Sequence, residues 1–488
     1  EMHGSNINVF LKDKSYFDDA SLMLRSFFTG SKVVYRGEIE SDPEFGSVME
    51  KNKYFYSFDD GLYCYLDAFL PEDEETLGKS KGEIHDIFKK ALYESLMEYT
   101  DRKLPWGFLT GVRPSKRAMV LLNDAFDNKK EVINTLKERY LISDKKAELA
   151  YEVAKNERHI IDEVAGKDSI SLYIHIPFCP SVCAYCSFAT VISNNDLMER
   201  YVDKLCYELK AFKERLTHKK IDSIYMGGGT PTALTAEQLE KALVCVEENY
   251  DLSNLLEYTV EAGRADSITK EKLEVLKKHN ISRISVNPQT FNQKTLDIIG
   301  RKHTVEDVYE AFKLARELGF DDINMDVILG LPEETRDDIV RTAKCLKELA
   351  PDSITMHSLS FKRAAAFTTS KSLYNGYEYI STDEYQDILG SVIEELNMAP
   401  YYMYRQQNMT GNLENIGYAK KGSECLYNIF IMEEIQSIIA FGAGSSTKCL
   451  FDNGRIERAE NVKNVEQYIE RVDEMIERKN KLLDQYDD

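Results

Sequence analysis

The stretch "SLYIHIPFCPSVCAYCSF" (171–188) decides how this chain is read. Its first seven residues form a short β-rich run of the kind that makes a strand. Directly behind it stand Cys179, Cys183 and Cys186, with small and aromatic residues filling the gaps. Three thiols crowded behind a strand raise two questions: what they hold, and why a fourth ligand is missing.

Working outward, the same unit recurs. β-rich runs at 171–177, 221–227, 257–262, 281–286, 321–329 and 352–360 alternate with amphipathic segments such as "NDLMERYVDKLCYELKAFKERL" and "TAEQLEKALVCVEENY", whose apolar residues recur every three or four positions. Six strand–helix repeats predict an α/β fold with a parallel sheet built from right-handed crossovers, hence a barrel or partial barrel. A doubly wound open sheet is the alternative. In either fold the chemistry belongs on the loops at the C-terminal ends of the strands. The cysteines follow the first strand, "GGGTPT" (227–232) the second, "EAGR" (261–264) ends the third, "NPQT" (287–290) follows the fourth and "GLPEET" (330–335) the fifth, so five motifs fall on one rim.

The flanks read differently. Residues 1–165 combine alternating runs with a mainly helical stretch from 80, an N-terminal α+β accessory domain. Its "RKLPWGFLTGVRPSKRA" (102–118), with the only tryptophan, Trp106, reads as a packed structural loop, with a contact to substrate as the alternative. "AGKD" (165–168) marks the boundary to a barrel domain over 166–375. Residues 376–488 form a C-terminal mixed α/β extension expected to cover the substrate; it holds a helix over 383–397, "PYYMYRQQNMTGNLENIGYAKKGSE" (400–424) and an apolar run ending in "FGAGSSTK" (441–448).

Hydrophobic residues at 43% and charged residues at 30% describe an ordinary globular protein, and no apolar run approaches the roughly 20 residues of a membrane span. The first residues carry no charged-then-apolar leader pattern, and Glu1 ahead of Met2 reads as an expression remnant, so a cytoplasmic protein is expected. A net charge of −21 makes nucleic acid a poor partner, and an anionic substrate would need a local cationic pocket. Of nine cysteines, six (Cys64, Cys206, Cys245, Cys345, Cys425, Cys449) are scattered singly, as small buried hydrophobes of a reducing compartment.

A structural zinc site is closed by four protein ligands, commonly two cysteine pairs far apart in sequence. No second pair exists here, and His175 on the strand is the only nearby addition. A cubane 4Fe–4S cluster has four irons, so three cysteines leave one iron open for a chelating small molecule.

From this loop outward the chain resembles the radical S-adenosylmethionine (SAM) superfamily, whose fold is a partial (β/α)6 barrel. More closely, "YIHIPFCPSVCAYCSF", "MGGGTPT", "VEAGR", "ISVNPQTFN", "IIGRKHT" and "NMDVILGLPEET" resemble the oxygen-independent coproporphyrinogen III dehydrogenases, in the HemZ-type branch with an N-terminal extension. The resemblance implies that Cys179, Cys183 and Cys186 hold the cluster and that SAM chelates the open iron. It implies contacts to that SAM from the turn of Gly228, Gly229 and Thr230, from Glu261 to the ribose, and from Tyr173 and Tyr185, with Ser360 and Ser446 as further contacts. Matching positions imply a second SAM at Gln289, Arg301 and Asp326, with Arg forking onto a carboxylate. Each has a structural alternative: a tight turn for the glycines, a Glu261–Arg264 salt bridge, core packing for the tyrosines, an Arg301–Asp326 pair.

The implied reaction is oxidative decarboxylation of two propionates of coproporphyrinogen III to the vinyl groups of protoporphyrinogen IX, in haem biosynthesis, with an electron donor such as flavodoxin or ferredoxin. Arg113, Arg405, Lys420 and Lys421 are the expected propionate partners. One departure is Phe188, where the best-known dehydrogenases carry a fourth cysteine. A methyl transfer or ring-opening on a tetrapyrrole shares all these residues, and a haem-binding chaperone, with His303 or His357 as axial ligand, is the reading from another class. The chaperones' "HNxxYW"-like segment is absent.

Overall fold

The computed structural model describes residues 6–11, 13–28, 31–37, 55–58, 61–66, 78–123, 128–164, 169–360, 378–380, 382–406 and 413–487. The expected boundaries at 165 and 375 lie outside the described residues. The chain divides into two compact units, residues 1–155 with 404–414, and 156–403 with 415–488.

In the first unit, β1 (Asn6–Leu11), β2 (Lys32–Gly37), β3 (Phe55–Phe58) and β4 (Gly61–Leu66) form a sheet in the order β2-β1-β4-β3, with β1 parallel to both neighbours and β3 antiparallel to β4. Helix Lys81–Thr100 starts on a capping box, Ser80 and Glu83 each satisfying the other's backbone N–H, and its Tyr93 ring meets Phe27 of helix Phe17–Phe27. The 102–118 loop is a packed structural element. Trp106 is fully buried and donates through Nε1 to Glu414 Oε2 at 2.7 Å, while Lys146 Nζ donates to Oε1 at 2.7 Å. Arg405, one of the expected propionate partners, is buried in this unit with a guanidinium N–H on the Leu109 carbonyl.

The second unit carries β5 (Ser169–Ile176), then a small parallel pair of β6 (Phe178–Cys179) and β7 (Val191–Ile192), then β8 (Lys220–Gly228), β9 (Glu257–Gly263), β10 (Arg283–Val286), β11 (Ile323–Leu329) and β12 (Ser353–Ser358). Strands β5, β8, β9, β10, β11 and β12 lie side by side in chain order, all parallel. A doubly wound sheet would reverse direction at a switch point; this one never does, so it is the singly wound, barrel type. It stays open. Beyond β12 the antiparallel β14 (Asn415–Ala419) and then β13 (Ala399–Tyr404) are added, and beyond β5 come the parallel β15 (Ser437–Phe441) and the antiparallel β16 (Ser446–Leu450) and β17 (Ile456–Glu460).

Alternation along the strands gives each face its character. Leu172, Ile174 and Ile176 are wholly buried on one face of β5. On the other, Ser171, Tyr173 and His175 register with Ser223, Tyr225 and Gly227, and Tyr225 in turn with Thr259. That second face is polar across the sheet, continuing through Ser285 beside Asn324 and Asp326 beside Thr355. A buried polar face is costly unless its groups are paired with one another or with a ligand. Four of the crossover helices begin on side-chain caps, Asn194, Thr235, Thr269 and Thr304, each accepting a backbone N–H of the first turn. Among the described residues no helix is long and apolar enough to cross a membrane.

Candidate functional site

The cysteine loop is held from three sides by the other motifs of the rim. Gly229 N–H donates to Ile176 O at 2.8 Å and Thr230 N–H to Phe178 O at 2.7 Å, stitching the glycine turn to the residues just before Cys179. Ala184 N–H donates to Ile299 O at 2.9 Å, and Ser181 Oγ to Gly300 O at 3.3 Å. Arg264 forks onto Asp266 at 2.9 and 2.6 Å and reaches Ser181 O at 3.0 Å and Cys183 Sγ at 3.5 Å. Ala184 also packs into an apolar cluster with Leu296, Ile299, Ile328, Leu331 and Leu359, and Tyr185 lies against it. The loop is thereby held by contacts from its own chain, as a preorganised site requires.

All three cysteines are free; Cys183 is buried, Cys179 and Cys186 partly so. Cys179 Sγ lies 3.5 Å from Thr230 Oγ1, and burial, with the neighbouring thiols of Cys186 and Cys183, raises its thiol. Among the described residues no three His, Cys, Asp or Glu side chains converge as the ligands of one ion would. A cubane makes no such demand, because its thiolates bind different irons. Phe188, at the place of the fourth cysteine, is 63% exposed.

The glycine turn forms a cradle. A Cβ on Gly229 would sit 2.6 Å from Phe178 O and 2.8 Å from Ile176 O, and Gly228 adopts φ +109° with the His175 ring where its Cβ would be. Gly228 N–H donates to Glu261 Oε2 at 3.1 Å, and the Tyr225 hydroxyl donates to Glu261 Oε1. Burial, reinforced by the Asp326 carboxylate, pushes Glu261 up to about 7 against the opposing pull of Tyr225, Gly228 and His357. Asp326 goes the other way: although burial opposes it, His357, Asn324 and Thr355 hold its carboxyl below the usual range. Two carboxyls on one polar face are thus pushed in opposite directions. Tyr173 OH lies 3.0 Å from His175 Nδ1, and burial holds that imidazole neutral, with a pKa of about 4.

Arg264 serves Asp266 and the cysteine loop, so Glu261 is not its partner. Arg301 is paired with Tyr185 OH at 3.0 Å and Asn287 O at 3.4 Å rather than with Asp326, whose Oδ1 accepts from Asn324 at 2.7 Å. Gln289 sits in the left-handed region at φ +66°, bridged to Val327, with its N–H on Asp326 O at 2.9 Å. Its Oε1, Arg301 Nε and Ser446 Oγ are buried and unpaired. A strained non-glycine residue beside buried polar atoms without a protein partner marks a place suited to a ligand. Ser360 follows β12 at the same rim, and Ser446 opens β16.

The cationic expectation fails at Lys420, which lies at the other end of the strands. Its Nζ donates to Asp352 Oδ1 at 3.2 Å, just before β12, because β14 runs antiparallel and brings Ala419 beside Ser353. Sequence reading passed over Tyr225 and Tyr427. Tyr427, from helix Leu426–Glu433, stacks on Tyr225 at 4.7 Å between ring centroids and on Tyr173 at 6.0 Å. The helix is seated by buried Glu257, which accepts Leu426 N–H at 2.7 Å and Tyr427 N–H at 3.3 Å. The period-2 alternation of β8 could have flagged Tyr225; nothing local announces Tyr427.

A pattern of the Radical SAM superfamily matches residues 173–346. The chain is 39% identical over 400 residues to the oxygen-independent coproporphyrinogen-III oxidase-like protein HemZ of Bacillus subtilis, covering 80% of this chain and 79% of that one. It is 32% identical to the heme chaperone HemW of Lactococcus lactis over 57% of this chain and 69% of that protein. The solved structure of coproporphyrinogen III oxidase (HemN) from Escherichia coli superposes with a TM-score of 0.51 at 22% identity, over 65% of this chain and 73% of that one, a likeness of fold. The chain belongs to the radical SAM superfamily and, within it, to the family of oxygen-independent coproporphyrinogen III oxidase-like proteins. Membership of the superfamily implies a 4Fe–4S cluster and SAM. The three-thiol loop, the glycine cradle and the unspent polar atoms of the rim fit both.

Proposed function

We propose that the protein is a radical SAM dehydrogenase that converts two propionate side chains of coproporphyrinogen III to vinyl groups, giving protoporphyrinogen IX. The observation that carries the reading is the rim itself: a three-cysteine loop held by the glycine turn and by Arg264, beside a polar wall whose Gln289, Arg301 and Ser446 retain buried unpaired atoms. When bound, the cluster and SAM supply a 5′-deoxyadenosyl radical that takes hydrogen from the substrate carbon next to the pyrrole.

The chain's own residues orient and enclose. Cys179, Cys183 and Cys186 hold the cluster, and the open backbone of Gly228 and Gly229 receives the SAM amino group. Glu261, positioned by Tyr225 and Gly228, accepts from the ribose hydroxyls, with Tyr173 and Tyr185 as aromatic walls and Ser360 and Ser446 at the rim. Gln289, Arg301 and Asp326 hold a second SAM, Arg301 taking the carboxylate. The stacked tyrosines and the helix seated on Glu257 shield the floor, and water exclusion protects a reactive radical. An electron enters from a flavodoxin- or ferredoxin-class donor.

The HemW relatives favour comparison with haem binding. The two histidines proposed as axial ligands are poorly disposed for it: His303 is fully buried, and His357 lies 3.8 Å from Asp326 Oδ2. No histidine follows His357 in the chain. The test is an anaerobic reaction of the iron–sulfur-reconstituted protein with SAM, a strong reductant and coproporphyrinogen III, read by mass spectrometry. Stepwise loss of CO2 and two hydrogens at each of two propionates, with 5′-deoxyadenosine, is expected. SAM cleavage with the tetrapyrrole unchanged, or with a methyl added, would overturn the reaction; stoichiometric haem binding without SAM consumption would favour the chaperone.

A further inference from the structure

Cys206 and Cys245 read as isolated in sequence, but the fold brings them together. Cys206 lies on helix Asn195–Ala211, which follows the cysteine loop, and Cys245 on helix Ala236–Asn249, which follows the glycine turn. Each sulfur reaches across to the other's helix. Cys245 Sγ lies 3.5 Å from the carbonyl oxygen of Cys206 itself, and Cys206 Sγ lies 3.8 Å from Lys241 O, the carbonyl one turn before Cys245. This crossed placement puts the two side chains against each other across the helix interface, where Cys and other small side chains allow close approach.

Their surroundings differ from those of the thiols in the core. Cys64, Cys425 and Cys449 are sealed in the core at 0 to 1% exposure, whereas Cys206 is partly exposed and Cys245 sits at the edge of burial. Cys245 Sγ accepts from the Asn249 side-chain N–H at 3.6 Å, a donor that favours a thiolate there and that Cys206 lacks, and the Cys245 thiol is held below its usual pKa by its neighbouring thiol and Asn249. One member of the pair is therefore the better nucleophile and the other stands next to it, the arrangement of an attacking and a resolving thiol.

We propose that Cys206 and Cys245 form a redox-modifiable dithiol that closes to a reversible disulfide between the two helices when the protein meets a peroxide. The Cys245 thiolate attacks one peroxide oxygen, the O–O bond breaks, and the second oxygen leaves as water. The Cys206 sulfur then displaces hydroxide from the Cys245 sulfenic acid, which leaves as the second water. Both thiols together lose two electrons and two protons, and hydrogen peroxide is reduced to two waters. The three cysteines of the loop take no part.

The test uses the full chain, purified anaerobically, exposed to a small excess of hydrogen peroxide, quenched with an alkylating agent and digested with trypsin without reduction. The expected product joins the fragment 205–210 to the fragment 242–264, two hydrogens lighter than the sum, and dithiothreitol returns both as alkylatable thiols. The crosslink should vanish in Cys245→Ser and persist in Cys345→Ser. Recovery of both cysteines as separately alkylated thiols at a peroxide dose that bleaches the cluster would overturn the proposal. So would sulfinic acids in unlinked fragments, or a link from Cys206 to any other cysteine.

Discussion

Replacing Glu261 by Gln isolates the titration of one half-buried carboxyl. In the folded chain Glu261 titrates near 7, against 4.5 for the free group, and burial is the main cause. The folded state therefore keeps a proton that the unfolded state has lost. The stability this contributes is fully present below pH 4.5 and is lost as pH rises through 7. At about 1.4 kcal/mol for each pH unit separating the two values, it amounts to about 2–3 kcal/mol between pH 5 and pH 8. Gln keeps an oxygen that can accept from Tyr225 but carries no proton to lose. Asp322 and Glu334 are also raised by burial and titrate in the same direction, so the wild-type curve alone mixes them. The difference between wild type and Glu261→Gln removes that mixture. Urea unfolding of the cofactor-free protein at pH 5 and pH 8 should show the wild type losing about 2–3 kcal/mol more than the variant across the interval. Parallel behaviour of the two proteins would refute the claim that the Glu261 carboxyl at the rim holds its proton up to about pH 7.

Further outcomes follow from the same geometry. Gly229→Ala drives a Cβ to 2.6 Å from Phe178 O; separating the turn from the cysteine loop should cost about 1–3 kcal/mol and lower iron incorporation, measured by iron and sulfide analysis. Lys479→Met leaves Glu208 without the cation now 2.8 Å away inside the core, and should destabilise the chain by about 3–5 kcal/mol in thermal unfolding. Arg301→Ala should lower product formation while leaving uncoupled SAM cleavage less affected; an equal loss of both would make the residue structural.

The strand–helix alternation was legible because the strands carry their own apolar period and four of the crossover helices start on a side-chain cap. All six strand positions reappear, from Ser169–Ile176 to Ser353–Ser358, with shifts of a residue or two at their ends. The clustering of motifs on one rim follows from the parallel topology those strands impose. What remained hidden depends on pairing at long range. Nothing near residue 437 says that β15 will add to β5 as a seventh parallel strand, and nothing near 420 says that an antiparallel β14 will carry Lys420 to the far end. Arg264 looked like a partner for Glu261 because both lie in "EAGR", yet strand alternation and the end of β9 send it to Asp266 and Ser181 instead. Cys206 and Cys245 were invisible as a pair because helix packing, not sequence spacing, joins them.

The central claim is that the three thiols of the 179–186 loop hold a 4Fe–4S cluster with one iron left open for SAM. Electron paramagnetic resonance of the reduced, reconstituted protein, recorded with and without SAM, tests it most directly, with Cys183→Ala alongside. A 4Fe–4S signal that changes on adding SAM, and is absent from Cys183→Ala, is the predicted result. A cluster signal retained in Cys183→Ala, or one indifferent to SAM, would contradict the account.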